Sequence, residues 1–64
     1  MTDQESMIAW LEHRIDRSVY YTIPIYVGQF EDMWMEKFGT LDTVPRELKD
    51  KVNDRYKKLK LASS

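Results

Sequence analysis

Three polar clusters are the places where side chains of this chain have the types and spacing for chemistry. Glu12, His13 and Asp16 join one imidazole to two carboxylates, the groups an acid–base pair or a metal site would use. On a helix the i,i+3 spacing brings His13 and Asp16 near one another. Yet the face they occupy reads as solvated. The chain has a single histidine and no cysteine, so neither a histidine-rich nor a thiolate metal site is available to it. Glu31, Asp32 and Glu36 form the second cluster. Paired carboxylates cleave glycosidic bonds only across a cleft, and acids in the first turn of a helix are explained by attraction to its positive end. The third cluster is basic. Arg55, Lys57, Lys58 and Lys60 are candidates for phosphate contacts, and they are equally the cations a helix C-terminus attracts. No nucleophile motif, glycine-rich phosphate loop or catalytic triad is present. The reading is of a protein that is not an enzyme and uses no cofactor or metal.

The elements that carry these clusters follow from periodicity. A helix is predicted over about 3–17. Thr2 stands as N-cap with Glu5 at the capping-box spacing, and Met7, Ile8, Leu11 and Ile15 recur on one face. The next stretch, "SVYYTIPIYVGQF" from Ser18 to Phe30, holds no charge at all. Val19, Tyr21, Ile23, Ile25 and Val27 alternate with Tyr20, Thr22, Pro24 and Tyr26, and that period of two predicts a strand over about 19–27. Pro24 has no N–H to give a ladder, so the strand belongs at an edge. A helical reading of the same residues puts Pro24 in a first turn, with Tyr26, Val27, Phe30 and Trp34 following on one face; Gly28 weighs against it. A helix over about 29–38 then carries Phe30, Met33, Trp34 and Phe38, with Gly39 as its stop. After "TLDTVP" a last helix is predicted over about 45–60. Its narrow stripe is Leu48, Val52, Tyr56 and Leu59, and Glu47–Lys51 and Asp54–Lys58 are i,i+4 pairs along it.

These elements give one small domain, 1–64, of α+β class and mainly helical, in the order helix–strand–helix–helix. A lone strand needs a partner for its backbone groups. The expected solution is a strand-paired homodimer, in which Val19, Tyr21, Ile23, Ile25 and Val27 meet the same strand of a second chain. Addition of the strand to another protein's sheet is a second solution. The alternative fold is an all-α three-helix domain with an extended 19–28 connector. A chain of 64 residues without disulfides has a small core, rarely worth more than about 3–5 kcal/mol, which favours association.

Net charge is −1, but it is unevenly spread. Residues 1–40 hold three basic residues against seven acidic ones, and residues 41–64 hold seven basic against four. The polar, acidic N-terminus is unlike a signal peptide and no apolar run is long enough to span a membrane, so a cytoplasmic protein without membrane contact is expected. Trp10, Tyr20, Tyr26 and Met35 fall off the apolar stripes and are nominated as a protein interface. The leading functional expectation is a small factor acting by stoichiometric binding to a protein target. It would be an inhibitor or accessory regulator of the kind phages and bacteria encode. The alternative comes from element order over residues 19–60: strand, helix, turn, helix resembles ribbon-helix-helix topology. That resemblance implies a dimeric DNA-binding regulator reading the groove with Tyr20, Thr22, Pro24 and Tyr26. None of the four is basic, and the proline interrupts the ribbon.

Overall fold

The computed structural model describes residues 2–63. They form three helices: α1 Asp3–Arg17, α2 Ile23–Phe38 and α3 Arg46–Ser63. α1 starts where Thr2 Oγ1 accepts the Glu5 amide at 3.1 Å, satisfying one of the unpaired donors of a helix start. It ends at Ser18, whose backbone turns extended and whose hydroxyl donates to the Arg14 carbonyl. Leu11 and Ile15 are the buried residues of its stripe.

α2 corrects the expected fold class. The predicted strand over 19–27 does not exist, and no strand occurs among the described residues. Residues 19–22 form a turn instead, with the Thr22 amide and hydroxyl both donating to the Val19 carbonyl, at 3.1 and 2.9 Å. The helix then runs unbroken from Ile23. Pro24 sits in its first turn, where a missing N–H breaks no helical bond.

Burial shows which period governs. Of the five alternating residues only Ile23 is buried. Val27 is half-buried, and Val19, Tyr21 and Ile25 are 47%, 65% and 57% exposed. Ile23, Phe30 and Trp34 point inward, with Tyr26 and Val27 beside them, a helical spacing. Burying that face outweighs both the β-prone composition and the roughly 1 kcal/mol cost of Gly28 in a helix.

The extended 19–28 connector of the all-α alternative is likewise absent, because α2 already occupies most of it. The helix predicted over 29–38 is the second half of α2. The strand-paired dimer and the ribbon-helix-helix topology both lose the strand they require.

Gly39 stops α2. Its φ of 77° is left-handed, where a Cβ is strained, and its amide donates to the Met35 carbonyl at 2.8 Å. The connection to α3 is pinned by Trp34, whose indole Nε1 donates to Thr43 Oγ1 at 3.0 Å. Trp34 is fully buried and packs at a tilt between Phe30 and Phe38, with ring centroids 5.3 and 4.7 Å away.

Cross-helix pairs fix the topology. Lys51 reaches Glu12 and Arg55 reaches the Asp16 carbonyl, each link joining residues 39 apart, so α1 and α3 run parallel. α2 returns antiparallel to both, making an up–down–up bundle about 37 Å long. α1 packs along α2 and along α3, whereas α2 and α3 touch each other sparsely.

Candidate interaction surfaces

The sparse α2–α3 seam leaves a groove. Its volume is about 260 Å³, and α1 supplies the floor through Leu11. Val27 and Phe30 line it from α2, Leu48 and Val52 from α3, and Leu41 and Val44 from the connecting loop. Val27 on one wall and Val52 on the other are both short side chains. Glu31, Lys49 and Asn53 stand on the rim. No single signal in the sequence marks this groove, since it depends on how two distant stripes face each other.

The opposite seam, between α1 and α2, is closed at its middle and opens only near the α1–α2 turn. Trp10 and Tyr26 meet edge to face at 6.4 Å, and the Arg14 guanidinium lies 5.7 and 5.8 Å from the two ring centres. Both rings are half-buried. The four residues nominated as an interface therefore do not share one surface. Trp10 and Tyr26 seal this seam, and Met35 stands exposed on α2. Tyr20 lies at the end of the bundle, in ring contact with Tyr21 at 5.5 Å and Tyr56 at 6.3 Å.

The polar clusters disperse in the same way. Glu12 is held by Lys51 at 2.6 Å. That bond and the charge of Glu12, with a smaller contribution from Asp16, raise the Lys51 ammonium above its ordinary value. Lys51 thus pairs across to α1, not along its own helix to Glu47. His13 is exposed, and among the described residues no group of three His, Cys, Asp or Glu side chains is placed to hold a metal. Glu31, Asp32 and Glu36 are exposed along the middle and end of α2, whose first turn contains no acid, so the helix-start explanation of them fails.

Folding turns the charge asymmetry along the sequence into an asymmetry from end to end. The C-terminal halves of α1 and α3 and the α1–α2 turn lie together. Over residues 13–27 and 53–63 this end holds six cations (Arg14, Arg17, Arg55, Lys57, Lys58, Lys60) against two carboxylates, Asp16 and Asp54, a net of +4. The rest of the chain holds the remaining four cations and nine carboxylates, a net of −5. Of the basic cluster, Arg55 is committed to the Asp16 carbonyl at 3.3 Å, Lys58 pairs with Asp54 at 3.0 Å, and Lys60 lies 5.9 Å from the Tyr56 ring centre. Lys57 is exposed. Among the described residues no helix is long and apolar enough to cross a membrane. Compared with known protein families, characterised proteins and solved structures, the chain matches none of them.

Proposed function

We propose that this protein acts by stoichiometric binding to another protein in the cytoplasm, taking the apolar side of a partner helix into the α2–α3 groove. The observation that carries the reading is the groove itself, an apolar trough running between two helices and framed by polar rim residues. At about 260 Å³ it lies below the ~300–1,000 Å³ of ordinary small-molecule pockets. It suits the anchor side chains that an amphipathic helix presents at i and i+3 or i+4. Glu31 and Lys49 on the rim would fix the direction of such a helix through charges of opposite sign. Binding of this kind needs no catalytic group and makes the protein an inhibitor or accessory regulator of its target.

Site-specific photocrosslinking in the source cell tests this. A photoreactive residue at Asn53, on the groove rim, is expected to trap one discrete partner. The same residue at Ala9, exposed on α1, is expected to trap none. Val52→Arg, which puts a charge into the groove, should abolish the Asn53 adduct while the helical circular dichroism persists. Equal adducts from both positions, or an Asn53 adduct that survives Val52→Arg, would refute the groove as the binding site.

A further inference from the structure

A separate feature sits at the basic end. The α1–α2 turn presents Val19 and Tyr21, and the first turn of α2 adds Ile25, all about half exposed or more. Beside them is an open depression of about 400 Å³ lined by His13, Arg14, Arg17, Ser18 and Thr22, with Val19 and Tyr26 at its edge. On the other side α3 overshoots. The 39-residue offset puts Arg17 level with Tyr56, so residues 57–63 project about 10 Å past the end of α1 and carry Lys57, Lys58 and Lys60. Exposed aliphatic and tyrosine side chains thus share this end of the bundle with Arg14, Arg17 and the lysines of α3.

From this arrangement we infer that the basic end docks on the surface of an anionic lipid bilayer. Two properties select that partner. Val19 and Ile25 gain nothing from a nucleic-acid backbone, but they gain from the acyl boundary, and tyrosine favours the headgroup level. The cations match the charge of anionic headgroups, and the depression places Arg14, Arg17 and His13 where a lipid phosphate would stand next to the inserted apolar groups.

The acidic half does not cancel this attraction. Asp3 and Glu5, at the far end of α1, stand about 20 Å of helix away from Arg17, beyond the ~8 Å screening length at physiological salt. The cytoplasmic leaflet, the anionic face of a cell membrane, is the surface available to a cytoplasmic protein. Docking by the end leaves the α2–α3 groove open at the side.

The experiment is co-sedimentation of the full chain with phosphatidylcholine vesicles, with and without about 30 mol% phosphatidylserine. Binding is expected on the mixed vesicles only, and raising salt from about 50 mM to about 500 mM should weaken it at least tenfold. Arg17→Glu with Lys57→Glu should lower binding at least tenfold. Tyr21→Ser with Ile25→Ser should lower it several-fold at unchanged charge. All four positions are exposed, and circular dichroism checks that each variant keeps its helices.

Failure to bind the mixed vesicles, or equal binding to neutral ones, would overturn the inference. So would a short DNA duplex or polyglutamate that binds as tightly as the mixed vesicles, with the Ser variant unaffected, because the end would then be a general polyanion binder. None of these outcomes bears on crosslinking at Asn53, so the groove reading and this one fail independently.

Discussion

The two seams that α2 makes with its neighbours are built from similar residues and end differently. Against α1 it buries Ile23 and Ile15, and Trp10, Arg14 and Tyr26 cover the outside. Against α3 it offers Val27 to Val52, and a groove of about 260 Å³ stays open between them. The closed seam is spanned by a short turn, residues 18–22, which holds the two helices together. The open one is spanned by residues 39–45, whose Trp34–Thr43 bond and apolar Leu41 and Val44 close one end and leave the length free. An apolar stripe is thus necessary for packing but does not fix how tightly two helices close.

Removing a filler from the closed seam should have the largest effect. Ile23→Ala is expected to cost about 2–5 kcal/mol, enough to unfold most of a domain this small. Urea denaturation followed by circular dichroism measures it. A loss under about 0.5 kcal/mol, as at surface positions, would mean the closed seam is not packed around Ile23.

The glycine that stops α2 comes next. At Gly39, with φ of 77°, a Cβ would meet no neighbour, so Gly39→Ala isolates the backbone cost of about 1–2 kcal/mol. Gly28→Ala, in a helical conformation with open space around its Cβ, should have the opposite sign, a gain of up to about 1 kcal/mol. The same urea titrations read both, and like signs would contradict the assigned backbone.

The smallest effect is the exposed link between α1 and α3. Glu12 raises the Lys51 ammonium in the folded state above its ordinary 10.5. The pair's contribution is therefore fully present below the unfolded value and fades as pH rises through the folded one. Urea midpoints from about pH 9 to about pH 11.5 should fall more for the native chain than for Glu12→Gln. Parallel profiles would mean that the bond is not kept in solution.

α1 was legible because its signals are local: Thr2 and Glu5 mark the start, and Met7, Ile8, Leu11 and Ile15 mark one face. Residues 18–30 misled because two periods coexist in them. Val19, Tyr21, Ile23, Ile25 and Val27 satisfy a period of two, while Ile23, Tyr26, Val27 and Phe30 satisfy the helix. Local β preference favoured the first, and burial against α1 selected the second. The apolar residues left over from the losing pattern, Val19, Tyr21 and Ile25, are the ones now exposed at the basic end. The groove and the end-to-end charge separation were not legible, because both arise only when α1 and α3 run parallel. That alignment puts Arg14 and Arg17, from the acidic part of the sequence, at the same end of the bundle as the lysines of α3.

The central claim is that the α2–α3 seam is open between Val27 and Val52 while the α1–α2 seam is closed at Trp10 and Tyr26, and the urea midpoint of Val52→Leu tests it most directly. In an open groove the added methylene finds apolar walls and room, and the variant should gain about 0.8 kcal/mol. A loss of about 1–3 kcal/mol, the cost of overpacking a filled core, would contradict the account and remove the groove on which the proposed function stands.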